Sequence, residues 1–203
     1  MTEKKKDYHS DINFLYEMGS IRFIDRMWRR FLHGDFATLS DHHFRVFWIA
    51  MIIASHEKNV DTGKIAKMAL VHDIAESRAG DVDYLARQYV IRNEELAIDD
   101  MLGGTAIEKE FRALWDEYEK RESLESKIVK DADNLDVDLE LAEQAAASSN
   151  SLKELWQNNR DFVAKNKLYT QTAKDIYDQI DKVNPHEWHL NGRNRRNSGD
   201  WQK

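Results

Sequence analysis

Residues 71–82 read VHDIAESRAGDV, and this stretch decides how the rest of the sequence is interpreted. Its apolar residues keep a helical rhythm, which ionisable side chains interrupt at His72, Asp73, Glu76 and Asp81. On a helix, residues three or four apart share a face, so His72, Asp73 and Glu76 can point toward one pocket. The stretch is either a solvated helix face or a metal site, since imidazole nitrogen and carboxylate oxygen together suit divalent cations.

Apolar residues recur at intervals of three and four along most of the chain, which predicts an all-α protein. One proline and eight glycines among 203 residues, with 33% charged residues, are typical of long helices. The predicted helices cover residues 11–32, residues from Ser40 or Asp41 past Ile52, residues from Asp61 or Thr62 into the opening stretch, residues 89–102, residues from Thr105 past Tyr118, residues from Ser123 past Leu141, and residues 169–180. Thr105 with Glu108, and Ser151 with Glu154, fit the capping-box pattern.

The length and the composition predict a single compact helical bundle over residues 11–185. A hydrophobic content of 41%, with 10% aromatic residues, is enough to build a core. We expect residues 1–10 to be a flexible N-terminus. We expect residues 186–203 to be a mobile polar tail, because the sequence from Asn191 is polar and lacks periodicity.

The composition argues against several classes of protein. Cysteine is absent, which removes disulfides, thiolate catalysis and cysteine-ligated zinc. The formal net charge of −7 argues against binding to long nucleic acid, which is usually held by a basic surface. The sequence shows neither an apolar run of membrane-spanning length nor a secretory signal, so we expect a cytoplasmic protein without a membrane partner.

Two other segments carry side chains of the kind that bind metals. Asp41-His42-His43 lies at the start of the second predicted helix, and Asp131-Ala132-Asp133 lies on the long helix after Ser123. Bundles build core metal sites from side chains on several facing helices, so both segments can meet the opening stretch. Adjacent residues on a helix diverge by about 100°, so only one of His42 and His43 is expected to face the site.

These three segments, in this order, resemble the HD superfamily of metal-dependent phosphohydrolases, and more narrowly its 5′-deoxynucleotidase branch. The residues that carry the resemblance are SDHHFRV at 40–46, VHDIAESRAGD at 71–81 and IVKDADNL at 128–135. The resemblance covers about residues 15–145 and implies an all-α bundle. It implies four metal ligands, His42, His72, Asp73 and Asp133, with His43 and Asp131 as the neighbouring alternatives.

The resemblance also implies a reaction. A water bound to a divalent cation (Mn, Co, Mg, Zn, Fe or Ni) would hydrolyse a (deoxy)nucleoside 5′-monophosphate to nucleoside and phosphate. Glu76 and Asp81 match two further acids and would be catalytic, although Asp81 also suits a turn after Gly80. Arg26 and Trp28 match an Arg and a Trp of the branch, with Met27 inserted between them. Arg26 would hold phosphate, and Trp28 would contact sugar or base, or belong to the core.

Several alternatives stay open at this point. The substrate could be a deoxynucleoside triphosphate or guanosine tetraphosphate, and the domain could bind metal and nucleotide without turnover. Residues 74–132 lack histidine, which argues against the cyclic-dinucleotide phosphodiesterases of the superfamily, because these need further His ligands there. A homodimer is also predicted, through an exposed apolar face to which Trp115 and Tyr118 contribute.

Overall fold

The computed structural model describes residues 6–32, 35–147 and 152–190, and the all-α prediction is confirmed, because these residues contain no strand. Pairing of the β type within them is limited to one bridge between Asp25 and Thr38. The helices are α1 (His9–Ser20), α2 (Arg29–Leu32), α3 (Leu39–His56), α4 (Thr62–Val71), α5 (Glu76–Ala79), α6 (Glu94–Leu102), α7 (Glu108–Lys120), α8 (Leu124–Ala147), α9 (Leu152–Asn166), α10 (Gln171–Ile180) and α11 (Glu187–Leu190). Short 3₁₀ turns lie at Ile21–Phe23 and Ala86–Gln88.

The 24-residue helix α8 is the centre of the fold, and α3, α4, α7, α9 and α10 all pack against it. Its apolar face is fully buried at Ile128, Ala132 and Leu135. Helices α3 and α4 also pack on each other. The polar residues on the inner faces of α3 and α8, and those that follow α4, therefore meet inside the bundle.

Two helix starts show how local chemistry sets the boundaries. Helix α3 begins at Leu39 rather than at Ser40 or Asp41, because Thr38 is its N-cap. The Thr38 amide donates to Asp41 Oδ2 at 2.9 Å, and the Asp41 amide donates back to the Thr38 hydroxyl, which makes a capping box. For α4, the predicted cap at Asp61 is confirmed, since its carboxylate accepts from the Lys64 amide at 2.9 Å.

The helix predicted over residues 11–32 is wrong, because the chain is irregular between α1 and α2. Ile24 adopts extended backbone after the 3₁₀ turn. Its carbonyl accepts from the Leu39 amide at 2.7 Å, and the Arg26 amide donates to the Ala37 carbonyl at 3.3 Å. These bonds to the residues before α3 replace helical bonds. Apolar spacing could not reveal the break, because the period of three and four continues across it.

Two more helices begin later in the chain than the sequence predicts. Helix α6 begins only at Glu94, where Asn93 caps the first turn by accepting from the Leu96 amide at 3.1 Å. The capping box predicted at Thr105 does not form, since its hydroxyl donates to the Leu102 carbonyl at 2.7 Å. Helix α7 starts later, at Glu108. The predicted box at Ser151 and the tail from Asn191 lie outside the described residues.

The apolar face of α7 points inward. Trp115 is 7% exposed and Tyr118 is 1% exposed, and both belong to the main core. The prediction that these two residues lie on an exposed dimer-forming face is therefore wrong. The side of α7 that carries these two aromatic residues packs against α4 and α8, so their helical spacing marks a core-facing side of the helix. Among the described residues, no helix is long and apolar enough to cross a membrane.

The central position of α8 gives a test of the fold. Ile128 is completely buried, and we expect Ile128→Ala to lower the free energy of unfolding by about 2–5 kcal/mol through lost burial and a residual cavity. Leu155→Ala on α9 is the matched control, because Leu155 is 73% exposed and should change stability by less than about 0.5 kcal/mol. Urea denaturation followed by circular dichroism measures both, and equal losses would contradict the burial pattern.

Candidate metal centre

The four residues predicted as metal ligands come together in the folded chain. One ligand atom from each of His42, His72, Asp73 and Asp133 lies within 4.8 Å of the other three. The Nε2 atoms of His42 and His72 are 3.2 Å apart, and Asp133 Oδ1 is 3.4 Å from His42 Nε2. Bonds of about 2.0–2.2 Å to a shared cation would place neighbouring ligand atoms about 3.0 Å apart and opposite ones about 4.2 Å apart. The cluster therefore has the dimensions of a site for one divalent cation.

The packing of three helices positions these side chains. His42 lies near the start of α3, Asp133 lies on α8, and His72 directly follows α4. Helix α4 ends at Val71, and the backbone bonds of the next turn span three residues rather than four. The opening stretch is thus not the continuous helix that its spacing predicts. The tighter turn brings the adjacent side chains of His72 and Asp73 to the same centre.

Hydrogen bonds behind the two histidines fix which nitrogen faces the cluster. His42 Nδ1 lies 2.7 Å from Asp136 Oδ2, and His72 Nδ1 lies 2.8 Å from the Ala69 carbonyl oxygen. A ring that donates from Nδ1 to an oxygen presents its Nε2 lone pair to a metal. Asp136 is itself held by the Arg45 guanidinium. The chain from Arg45 through Asp136 to His42 therefore orients one ligand from behind.

The charges around the cluster favour ionised carboxylates. Burial opposes ionisation, but His72 and His42 hold the pKa of Asp73 well below its usual range. Burial likewise opposes the charge of Asp133, and Lys130 is the main group that lowers its pKa. Burial and Arg26 disfavour a charged His42 ring, yet its hydrogen bonds to Asp136 and Asp73 raise its pKa to about 9. Negative charge thus dominates the cluster, which suits a cation.

The two aspartates of the Asp131-Ala132-Asp133 segment have different surroundings. Lys130 donates to Asp133 Oδ2 at 2.6 Å, which leaves Oδ1 directed at His42. Asp131 is fully buried and accepts hydrogen bonds of 2.7–2.8 Å from the Tyr169 amide, the Thr170 amide and the Thr170 hydroxyl. Its oxygens therefore anchor the chain at the start of α10, and they are not part of the cluster.

His43, the neighbouring alternative to His42, is buried behind the cluster. Its ring centroid lies 4.7 Å from that of His72. Burial lowers the pKa of His43 well below its usual range, so this ring stays neutral. His43 packs against a candidate ligand and is not one of the four clustered residues.

A buried arginine lies beside the cluster, between the two acids predicted to be catalytic. Arg26 is 7% exposed; its Nη1 lies 3.5 Å from Glu76 Oε2 and its Nε lies 3.4 Å from Asp81 Oδ2. Arg92 donates to the other oxygen of Glu76 at 3.0 Å. Burial, with the carboxylates of Asp73 and Asp81, raises the pKa of Glu76 to about 9 even though both arginines favour its charged form.

Gly80 directs Asp81 toward Arg26. This glycine ends α5 with φ of 81°, in the left-handed region that side chains other than glycine rarely adopt. After this bend, Asp81 Oδ2 accepts from the Met27 amide at 3.1 Å in addition to its contact with Arg26. The sequence predicted the bend, and the structure adds that Asp81 contacts the segment between α1 and α2.

Trp28 is half-buried and contacts other aromatic side chains. Its ring centroid lies 4.4 Å from that of Trp156, with the rings nearly perpendicular. Only Met27 separates Arg26 from Trp28, and on the irregular backbone between α1 and α2 Arg26 is buried while Trp28 is partly exposed. The backbone amide of Met27, the inserted residue, donates a hydrogen bond to Asp81.

The sequence as a whole matches a known family. A family model described as HD domain matches residues 18–183, which is most of the chain. The chain belongs to the HD domain family. The matched range begins within α1 and extends past α10, so it includes every residue of the cluster and its surroundings described above.

Two eukaryotic proteins with similar sequences carry the name 5′-deoxynucleotidase. The human protein 5′-deoxynucleotidase HDDC2 is 35% identical over 111 residues, which cover 52% of this chain and 53% of the human protein. The Saccharomyces cerevisiae protein 5′-deoxynucleotidase YGK1 is 32% identical over 109 residues, which cover 49% of this chain and 50% of the yeast protein. The HD domain chain therefore spans about half the length of the curated relatives it matches.

Solved structures share the fold over most of this HD domain. A conserved hypothetical protein from Pyrococcus furiosus superposes with a TM-score of 0.71 and 25% identity, over 85% of this chain and 99% of that one. A predicted metal-dependent phosphohydrolase from Magnetospirillum magnetotacticum superposes with a TM-score of 0.68 over 85% and 90% of the two chains. Its 20% identity shows similarity of fold alone.

Three residues that hold side chains of the candidate centre of this HD domain were not identified in that role from the sequence. Asp136 orients His42, Lys130 orients Asp133, and Arg92 binds Glu76. The signal for Asp136 was its position three residues after Asp133 on one helix, which places both on one face. Arg92 lies in a loop, and no spacing rule connects it to Glu76.

The different roles of Asp133 and Asp131 give a test. We expect Asp133→Ala to weaken Mn²⁺ binding by more than about 100-fold, because losing a direct ligand should cost at least as much as losing a supporting residue. We expect Asp131→Ala to leave Mn²⁺ affinity nearly unchanged but to lower the free energy of unfolding by about 1–3 kcal/mol, since buried donors lose their acceptor. Titration calorimetry and urea denaturation measure the two effects. If instead Asp131→Ala weakened Mn²⁺ binding and Asp133→Ala lowered only the stability, Asp131 would be the ligand.

The support of His42 gives a second test. We expect Asp136→Ala to weaken Mn²⁺ binding by about 10- to 100-fold, because the His42 ring loses the hydrogen bond that orients it. Glu143→Ala is the matched control, since Glu143 also pairs with Arg45 but its side chain is 54% exposed and has no contact with His42. Calorimetry with Mn²⁺ gives both affinities. Equal affinities for the two variants would show that Asp136 does not support the site.

Proposed function

We propose that this HD domain is a metal-dependent phosphohydrolase that converts deoxynucleoside 5′-monophosphates to deoxynucleoside and inorganic phosphate. The observation that carries the proposal is the buried Arg26, which lies beside four clustered metal-type ligands. A guanidinium binds phosphoryl oxygens through charge-assisted hydrogen bonds. A cation site next to an arginine can neutralise the negative charge of a phosphate ester from two sides. The names of the human and yeast relatives support the substrate class.

The four clustered residues, His42, His72, Asp73 and Asp133, would hold the cation. When bound there, a divalent cation would acidify water and neutralise charge on the phosphoryl oxygens. The ligand set of two imidazoles and two carboxylates suits Mn, Co, Fe, Ni, Zn or Mg. The chain has no cysteine, and we propose water as the nucleophile in place of a side chain.

The residues beside the cluster would divide the remaining work. Arg26 would hold a phosphoryl oxygen and share the negative charge that builds up during transfer. A bond forms between phosphorus and the oxygen of water, and the bond between phosphorus and the 5′-oxygen breaks. Glu76, whose pKa is raised to about 9, would give its proton to the departing 5′-oxygen. Of the two protons of the attacking water, one would stay on the phosphate product and the other would restore Glu76. Asp81, which contacts Arg26 and the Met27 amide, would hold the guanidinium in place.

Phosphate release tests this proposal. Protein stripped with EDTA and reloaded with Mn, Co, Mg or Zn should release phosphate from deoxynucleoside 5′-monophosphates faster than from the ribonucleotides. Asp73→Ala should reduce kcat/KM by more than about 1,000-fold, because the cluster loses a ligand and the reaction loses the stabilisation of several kcal/mol that a bound cation supplies.

The controls separate the alternatives. Glu143→Ala, on the exposed end of α8, should retain full activity. If no monophosphate released phosphate, the proposal would be overturned. The reloaded protein would then be assayed with deoxynucleoside triphosphates and guanosine tetraphosphate. If those substrates were not hydrolysed either, and the metal still stabilised the fold, the protein would be a binding module without turnover.

A further inference from the structure

Four aromatic side chains from three parts of the chain meet next to the candidate active site. This aromatic cluster consists of Trp28, Phe31, Tyr84 and Trp156. The Phe31 and Tyr84 rings are stacked, with centroids 5.7 Å apart. The Trp156 ring meets Trp28 at 4.4 Å and Tyr84 at 5.8 Å, in both cases edge to face. The cluster therefore joins α9 to the segment around α2 and to the loop that follows Gly80.

Two chain segments connect the aromatic cluster to the candidate active site. At the inner end, Arg26 and the Met27 amide both contact Asp81. At the outer end, Arg30 Nη1 lies 3.0 Å from Asp83 Oδ2. The two segments therefore run side by side, from the buried arginine to the aromatic rings. Tyr84 is three positions after Asp81, so their Cα atoms are at most about 11 Å apart.

The exposure of the aromatic cluster distinguishes it from the core. Tyr84 is 59% exposed even though Phe31 covers one face of its ring. Trp28 and Trp156 are half-buried. Tyr118 in the main core is only 1% exposed, so the rings of the aromatic cluster, unlike the core aromatics, keep surface that a ligand can reach. Aromatic surface that stays open beside a phosphate-type site can take the flat face of a ligand.

The charges beside the aromatic cluster are already paired. Arg30 binds Asp83, and Arg29 Nη1 lies 2.7 Å from Asp25 Oδ2. The Asp83 carboxylate also accepts from the amides of Leu85 and Ala86 at 2.9 Å. The recognition surface offered here is therefore mainly the ring faces. Such a surface favours a neutral aromatic group over a second phosphate.

We propose that the aromatic cluster is the nucleobase-binding part of the active site, with Tyr84 and Trp156 as its stacking faces. This inference rests on the proposed function, because a phosphate held at Arg26 places the base at the far end of the nucleotide. Stacking on an aromatic ring tolerates every base, since each base has a π face. The enzyme should therefore accept several deoxynucleoside monophosphates with similar kcat/KM.

The test compares a substrate that has a base with one that lacks it. Protein loaded with the most active cation is assayed with deoxyadenosine 5′-monophosphate and with deoxyribose 5-phosphate. Tyr84→Ala should lower the ratio of the two kcat/KM values by about 5- to 100-fold, the effect of losing one stacking contact. Tyr84→Phe keeps the ring and should keep the ratio. Tyr89→Ala is the matched control, since Tyr89 is 80% exposed and lies outside the aromatic cluster.

Trp156→Leu provides a second variant on a different helix and should lower the same ratio. Thermal melting by circular dichroism separates this effect from loss of folding, which would lower both kcat/KM values together. An unchanged ratio in folded Tyr84→Ala and Trp156→Leu would overturn the inference. If neither substrate is hydrolysed, the proposed function fails, and calorimetric binding of deoxyadenosine decides the inference separately. Weaker binding to Tyr84→Ala than to Tyr89→Ala would support it, and equal binding would overturn it.

Discussion

The interior of this protein holds several charged side chains. Each of these charges needs a partner, and this constraint is the one on which the rest of the structure depends. An unpaired charge inside a protein costs several kcal/mol, so each buried carboxylate needs a partner. Asp136 has His42 and Arg45, and Asp133 has Lys130. These partners hold only one side of each group. The sides that face one another belong to the four clustered candidate ligands, whose excess negative charge a divalent cation would balance. The same surroundings explain why the pKa of His42 is raised although burial acts against its charge.

The second constraint is backbone geometry at two places where helices stop. Regular helix turns adjacent side chains away from each other, whereas His72 and Asp73 face one centre because α4 ends at Val71. Between α1 and α2, bonds from the backbone near Ile24 to the residues before α3 replace helical bonds. That break buries Arg26 beside the cluster. Both breaks in regular structure therefore adjoin the candidate metal centre, and the long helices α3 and α8 hold the irregular segments in place.

Much of this could be predicted from the sequence, for reasons that differ between residues. Helical periodicity and the scarcity of breakers predict the all-α fold, because burial of apolar residues is averaged over many positions. The four ligand candidates could be chosen because their motifs occur in a recognisable order, and the fold brings them together. The break near Ile24 could not be predicted, since it depends on hydrogen bonds to residues more than ten positions away. The inward direction of Trp115 depends on what α7 packs against, which spacing alone does not give.

The candidate site draws its residues from two kinds of structure, packed helices and irregular segments. The candidate ligands and the residues that hold them, such as His42 and Asp136, lie on or next to helices that share the main core, so their geometry is fixed by packing. Arg26, Asp81 and Tyr84 lie on irregular segments outside the long helices, and Arg26 contacts Asp81. Loops tolerate substitution and insertion better than packed helices. We therefore expect substitutions in the irregular segments to change what the candidate site recognises more readily than they change the four clustered side chains.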